Sequence, residues 1–575
     1  MEQASAHSDN SSFLIPFVIG VTGHRDLRPS DIGGLEGCVR SIFEDFRRRL
    51  PSTPFLLLSA LATGADQLVT RVALQCGTQL AAVLPMPAEI YKSGMAPEAQ
   101  RSFDFLLAKA SVVITLPFDG KTDIQIDKSS EASAESYDAL GRFLATHCQT
   151  LVALWDGKRS EKQGGTACVI RYMLEGTTGT ELSSEESQAG SVYHILTPRS
   201  SNSSPEGKLF ELRLLTSLEG TSDQDTEDFA VLAQHLEAFN RDMRQVEWAA
   251  IPACGNLLPE EVFPLLSAYG SRISRLFFAA DKRSLDFNNW ASIALATLLV
   301  FAFVALASFE LYAHVLPHNA SLWLGYPIAL LGAWLTYRYA RKREVETKYF
   351  DYRALAEALR VQFFWSLAGI RESAADHYLR DHRTELDWIR YALRSVEVFQ
   401  HSEGEQNADE IHRLELVLDH WVENEAIWYA AKAKQQQRIL GLLNHITGRS
   451  LLTVWLVSTL VPLSFLIPWR GLAGWQTWAL EEPRRGILLL LVLLPSLLIG
   501  LFRVWVEQAG YDVQVRKYHR MAQVFRRSCT RLQEFLKAKR IDEAREVVRQ
   551  LGIDALDENG EWLLLHRERP LKVVG

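Results

Sequence analysis

The chain predicts an α/β plus all-α membrane protein: a Rossmann-like parallel sheet domain, then a helical bundle with four transmembrane helices in two hairpins. Three observations carry this expectation. Short apolar runs rich in β-branched residues alternate with amphipathic stretches through the first part of the chain, the pattern of βαβ units with helices on both faces of a parallel sheet. Glycines and polar residues fall just after those runs, at the carboxyl ends of the expected strands, where open α/β sheets bind ligands. Beyond residue 288 the apolar residues gather into four runs almost free of charge.

At 575 residues the chain is long enough for two or more domains. Lys and Arg total 61 against 69 Asp and Glu, a net charge of −8, so no basic excess points to a nucleic-acid partner. Cys38, Cys76, Cys148, Cys168, Cys254 and Cys529 form no Cys-x-x-Cys pair and no Cys/His pattern of zinc-ligand spacing. Neither a metal site nor a disulfide framework is expected, and a reducing compartment is. The first residues lack a basic segment followed by an apolar one, so no signal peptide is expected and the soluble part should be cytoplasmic.

In chain order, strands are expected at 13–21, 55–59, 79–84, 111–116, 150–155 and 192–197, with helices at 34–50, 67–76, 98–110, 137–146, 167–174 and 229–244. Residues 176–190 and 199–208, rich in Gly, Ser, Thr and Glu, read as loops. Residues 262–278 lead toward the first apolar run.

Three loops carry the candidate chemistry. After strand one, Gly23-His24-Arg25 offers a turn, a ring able to stack or donate, and a guanidinium suited to phosphate. After strand two, Thr63-Gly64-Ala65-Asp66 opens a helix whose N–H groups could hold an anion, while Asp66 caps the helix or accepts from a ribose hydroxyl. After the 150–155 strand, Asp156-Gly157 and then Gly164-Gly165-Thr166 place a carboxylate and a glycine pair before another helix. Each alone is no more than a cap or a turn. Together, at one sheet edge, they suit a nucleotide.

Val-Thr-Gly-His-Arg, Ala-Thr-Gly-Ala-Asp and Ala-Leu-Trp-Asp-Gly with the later Gly-Gly-Thr resemble the SLOG domain over residues 13–200. This Rossmann-like superfamily includes the LOG proteins, nucleotide sensors of bacterial defence systems and the sensing domain of melastatin-type channels. The resemblance implies a nucleotide-derived ligand such as an ADP-ribose derivative or a cyclic oligonucleotide, with no resident cofactor. Hydrolytic LOG enzymes carry Pro-Gly-Gly-x-Gly-Thr with a nearby glutamate. Here Gln163-Gly164-Gly165-Thr166-Ala167-Cys168-Val169 lacks the proline, one glycine and the acid. A sensor is therefore expected rather than an enzyme, with no catalytic residue assigned. A membrane-tethered nucleosidase or phosphoribohydrolase using Asp66 or Asp156, and a structural membrane scaffold, stand as alternatives.

The uncharged run 290–309 has about the 20-residue length that crosses hydrocarbon. A connector without Lys or Arg leads to a second run, 322–337, which ends in Arg338, Arg341, Lys342 and Arg343. The positive-inside rule puts that cluster in the cytoplasm. The pattern recurs at 451–469 and 487–502, followed by Arg503, Arg516, Lys517 and Arg520; Arg470, Arg484 and Arg485 in the second connector weaken the topological signal there. Trp455, Trp469, Trp475, Trp478 and Trp505 stand near the run ends, as interfacial aromatics do, and Pro462 and Pro495 should kink their helices. No run holds a central acid or base, so no charged ion path is evident.

Amphipathic helices at 345–367, 378–398 and 421–434 lie between the hairpins, with Arg353 and Glu357 spaced as a helix-surface pair. Tyr352-Arg353-Ala354-Leu355-Ala356-Glu357 after hairpin one and Tyr518-His519-Arg520-Met521-Ala522 after hairpin two suggest a duplicated unit. Two membrane helices followed by the first of these motifs, behind a SLOG-like domain, resemble the SLATT effector modules over residues 270–540. That resemblance implies action at a membrane in bacterial conflict, or antiphage, systems. The expected division is 1–200 sensor, 201–286 coupling helices, 287–400 and 401–540 two-span units, and 541–575 a tail, where Trp562-Leu563-Leu564-Leu565-His566 fits a strand or a docking segment. The expected whole is a ligand-gated, homo-oligomeric, multi-pass protein of the bacterial inner membrane, touching lipid and a nucleotide-derived signal, with both ends cytoplasmic.

Overall fold

The computed structural model describes residues 14–117, 131–158, 160, 163–177, 190–201, 208–217, 223–246, 257–316, 319–378, 387–402, 409–466, 481, 484–509 and 511–567. Seven strands, β1 (Phe17–Gly23), β2 (Phe55–Ser59), β3 (Gln79–Leu84), β4 (Val112–Thr115), β5 (Thr150–Trp155), β6 (Ser191–Leu196) and β7 (Leu212–Leu215), form one sheet in the order β4-β3-β2-β1-β5-β6-β7. All neighbours are parallel except β7, which runs antiparallel to β6. The chain winds outward from β1 to β4 and then returns to β5 on the other side of β1. The strand order therefore reverses between β1 and β5, and the crevice at their carboxyl ends is the topological switch point.

Helices α1 (Ile32–Arg49), α2 (Ala65–Gln75), α3 (Ala88–Ser93), α4 (Pro97–Leu107), α5 (Glu131–His147) and α6 (Thr166–Glu175) make the crossovers. In α1, Leu35, Val39, Ile42, Phe43 and Phe46 recur at helical spacing and are buried, while Arg47, Arg48 and Arg49 complement the dipole in its last turn. The central strands β2 and β5 are buried at every position, which is why they read as unbroken apolar runs. β4, at the edge, alternates buried and exposed residues.

Two differences from the sequence reading have local causes. β1 starts at Phe17 rather than residue 13, because Ile15 gives its N–H to Asn240 Oδ1 (3.1 Å) and accepts from Asn240 Nδ2 (2.9 Å) instead of joining the ladder. Asn240 belongs to α7 (Asp223–Met243), whose Glu237 also accepts the Ser52 N–H (3.0 Å) and the Thr53 hydroxyl (2.8 Å). Strand β7 has no counterpart in the sequence reading. It is only four residues long and part-exposed, so it shows neither a continuous apolar run nor a long alternation.

The remainder is largely helical: α8 (Ala268–His314), α9 (Ala320–Lys342), α10 (Val345–Leu367), α11 (Asp387–Glu397), α12 (Glu410–Val417), α13 (Asn424–Leu466), α14 (Arg484–Ala509), α15 (Tyr511–Lys537) and α16 (Ile541–Arg567). The chain divides into two compact units, one of residues 1–280 with 354–409, the other of 281–353 with 410–575. Residues 354–400, grouped by sequence with the first hairpin, thus cluster with the sheet. Gln149 shows how. Its side-chain oxygen accepts from the Val18 N–H, its backbone N–H donates to Val18 O (2.9 Å), and its amide donates to Ser395 Oγ (2.9 Å) on α11.

In the second unit, α8 and Arg484–Val504 of α14 are long and apolar enough to cross a membrane. The most apolar window of each is only 6% buried, the reverse of a core helix. The other two runs are helical but do not count as such spans: 322–337 lies within the shorter α9, and 451–466 ends α13, with 467–469 outside the described residues. Trp475 and Trp478 also lie outside them. α8 and α9 approach through small residues: a Cβ on Gly332 would stand 2.6 Å from the Phe301 ring, and one on Gly325 2.8 Å from Ser308 Oγ. The tail segment at Trp562 is helical, not a strand, and its ring packs edge-on against Tyr349 (6.0 Å) and Phe350 (5.6 Å). Arg353 reaches across to Asp281 Oδ1 (2.5 Å), rather than serving only as a surface partner of Glu357.

Gln149→Leu strands the buried Val18 N–H and removes the link to Ser395, a cost of about 1–3 kcal/mol. Thermal unfolding of the purified full chain should show a lower midpoint for the variant; an unchanged midpoint contradicts this assignment.

Candidate functional site

All three candidate loops come to the carboxyl edge of the sheet at the switch point, and His24 is where they meet. Its backbone N–H donates to Leu154 O (3.1 Å) at the end of β5, and its carbonyl accepts from Ala65 N–H (3.1 Å) at the start of α2. Its ring Nε2 accepts the Asp156 N–H at 2.9 Å. One residue thus fastens the loops after β1, β2 and β5. The same Nε2 lies 3.2 Å from Asp156 Oδ1, a contact that would be an ion pair only for a charged ring. Burial lowers the His24 pKa, against the pull of Asp156, and the ring's accepting role is that of the neutral form.

The glycines of these loops serve the closeness of the backbone. A Cβ on Gly23 would stand 2.4 Å from Ala65 Cβ and 2.8 Å from Leu154 O. Gly64, at φ +90°, would put one 2.5 Å from Arg25 O and 2.6 Å from His24 O. Only glycine satisfies both the left-handed backbone and the approach. Gly157 (φ +79°) makes the turn after Asp156, and Gly164 (φ +69°) lies where a Cβ would meet Tyr137 Cβ at 2.5 Å.

Two polar clusters flank His24. On one side Arg199, in the loop after β6, brings its Nε to 3.3 Å from Asp156 Oδ2 and 3.4 Å from His24 Nε2, with its side chain 44% exposed. On the other, the Arg25 guanidinium lies 5.2 Å over the Tyr137 ring and within electrostatic reach of Asp66 and Tyr91. Asp66 is buried and accepts a long bond, 3.4 Å, from Ala62 N–H, with the Ala60 backbone also in reach. It braces the loop ahead of α2 rather than capping the helix, whose N-cap is Gly64. Burial raises its pKa to about 7, outweighing the Ala62 bond and the Arg25 charge. Burial likewise raises the Tyr91 phenol.

Thr63 lies in the turn before Gly64, and Gly165 and Thr166 form the N-cap and first residue of α6. Neither α2 nor α6 has a side-chain cap on its first N–H groups. At α2 the Ala65 and Gln67 N–H groups are already given to His24 O and Ala62 O, so the start of α6, with Arg25 and Arg199, gives the edge donors suited to phosphate oxygens. Sequence reasoning missed Arg199, Tyr91 and Tyr137. Arg199 was findable, since it follows an expected strand at its carboxyl end; the tyrosines lie on helices and carry no local signal. No protein-family model matches the chain, and a search of curated proteins returns no match.

The Asp66 shift has a pH signature. Its folded pKa is above the unfolded one, so the folded state binds more protons between about pH 4 and 7, and stability from this group falls as pH rises through that window. Asp66→Asn removes the penalty. The midpoint difference, variant minus parent, should grow from pH 5 to pH 8, and a pH-independent difference contradicts the buried acid.

Proposed function

We propose that the chain is a membrane effector gated by a nucleotide-derived ligand, with a SLOG-like sensor whose occupancy biases a SLATT-like helical bundle. The supporting observation is the junction itself: three loops fastened at the switch point between β1 and β5, rimmed by Arg25 and Arg199 and the start of α6, which has no side-chain cap. That combination offers guanidinium and N–H donors for phosphates, and tyrosine rings beside them for a base.

A ligand shifts an equilibrium only through differential affinity for two states. Here the neutral His24 acceptor and the Asp156 carboxylate are already tied to Arg199, so an anion drawing Arg199 away would redistribute the whole loop set. The output would be four spans in two hairpins, in a homo-oligomer of the bacterial inner membrane with both ends cytoplasmic. Supporting this are the outward apolar surfaces of α8 and α14 and the Arg338, Arg341, Lys342 and Arg343 cluster that closes the first hairpin. α8 carries on one helix both residues buried in the α/β unit, Tyr269 and Ile273, and the apolar window.

One observation favours a second reading. A buried carboxyl titrating at about 7 is suited to general acid or base work, so Asp66 would serve a tethered nucleosidase. Product analysis with ADP-ribose and with nucleoside monophosphates separates the two, since a sensor returns them unchanged.

The detergent-solubilised full chain should bind ADP-ribose or a cyclic oligonucleotide in titration calorimetry, and Arg25→Ala should weaken that binding at least tenfold. Equal binding by parent and variant, or no heat with either ligand class, overturns the site.

A further inference from the structure

We propose that His147, Glu397 and His401 form a binding site for a zinc-like divalent cation, outside the nucleotide edge. Two distant segments supply the three residues: His147 ends α5, while Glu397 ends α11 and His401 lies four residues on, in the short 3₁₀ turn Gln400–Ser402. One ligand atom from each falls within 4.8 Å of the other two.

The hydrogen bonding around His147 sets its chemistry. Its Nδ1 lies 2.9 Å from Phe143 O. A carbonyl only accepts, so Nδ1 carries the proton, and Nε2 of the neutral ring is a bare lone pair. That Nε2 is buried, has no hydrogen-bond partner among the described residues, and faces Glu397 Oε2 at 4.0 Å. Glu397 Oε1 in turn stands 3.7 Å from His401 Nε2. Both separations exceed hydrogen-bond length. Two imidazoles and a carboxylate that converge at these distances, with the His147 Nε2 lone pair unmet, are donors a cation between them would join.

A cation holding such donors at about 2.0–2.2 Å leaves neighbouring ligand atoms about 3–3.5 Å apart, so side-chain rotations that close these separations, all within 4.8 Å, by about an ångström complete the set. An imidazole that donates its other N–H to a backbone carbonyl is also the usual arrangement of a metal-bound histidine. Arg394, paired with Asp376, donates to Glu397 Oε2 at 3.1 Å and, with the Ser373 hydroxyl, orients the carboxylate. Two imidazoles and one carboxylate select zinc and its late first-row neighbours over magnesium or calcium, which prefer oxygen alone. The side chain of His401 is 37% exposed, giving the ion an entry and a water its remaining position. Phe143 stacks on His147 (4.0 Å) and meets His401 edge-on (5.3 Å), walling the site with apolar surface.

The bound ion would clip α5 of the sheet to the segment that returns after the first hairpin, closing a loop of chain from 147 to 397, where a cross-link restrains the unfolded state most. The test uses the untagged full chain in detergent, stripped with a chelator that is then removed, and titrated with Co²⁺. One equivalent should give visible ligand-field bands that Zn²⁺ abolishes, and Zn²⁺ should raise the unfolding midpoint. His401→Ala, at a half-exposed position, and Glu397→Gln should each weaken Co²⁺ binding at least tenfold, with the near-ultraviolet dichroism of His401→Ala unchanged. Absence of the bands, or parent-like affinity in His401→Ala, overturns the site.

Discussion

His24 is the residue on which the candidate edge depends. Its N–H donates to the end of β5, its carbonyl accepts from the start of α2 and its ring accepts from the Asp156 N–H. The ring can accept from the Asp156 N–H only while it is neutral, and burial is what keeps it so. Three loops that would otherwise move separately are made one body by a buried residue whose backbone supplies two of the bonds and whose ring supplies the third. Charge follows from this arrangement. Fixing the Asp156 backbone places its carboxylate against Arg199, and fixing the β1 loop against Gly64 sets Arg25 over Tyr137 and near Asp66.

The glycines acquire a different meaning in this frame. Gly23 and Gly64 face protein, not an open cleft, and the atoms a Cβ would meet are backbone oxygens and Ala65. They permit the packing that holds the donors in place, and the donors themselves are Arg25, Arg199 and the start of α6. Asp66 is the costly element of the arrangement. A carboxyl withdrawn from water, with backbone bonds too weak to offset the burial, resists ionisation even beside a guanidinium. Strained or costly groups of that kind concentrate where a protein binds or reacts.

Legibility from sequence followed the range of the interactions. β2, β3 and β5 were readable to the residue because strands buried on both faces must be unbroken apolar runs bounded by turn residues. β7 was not, since a short edge strand needs only a partner, and its pairing with β6 is not written in its own four residues. The loop motifs were legible as chemistry, but the role of His24 as a fastener was not, because it depends on Asp156, 132 positions away. The return of residues 354–409 to the sheet was hidden for the same reason: Gln149 and Ser395 are ordinary residues until folding places them in hydrogen-bond contact. The His147, Glu397 and His401 cluster defeats spacing rules altogether, since only the last two are near in sequence. In the helical part, composition marked four apolar runs, while length and hydropathy together single out α8 and α14.

The central claim, that one histidine makes three loops a single unit, is tested most directly by amide hydrogen exchange of the full chain read by mass spectrometry, parent against His24→Ala. Peptides covering 22–27 and 153–158 should lose protection together in the variant, because the ring bond joins them, while 62–68, held by the His24 backbone carbonyl, and those of β3 and α4 keep theirs. Loss confined to 22–27, with 153–158 as protected as in the parent, contradicts the account.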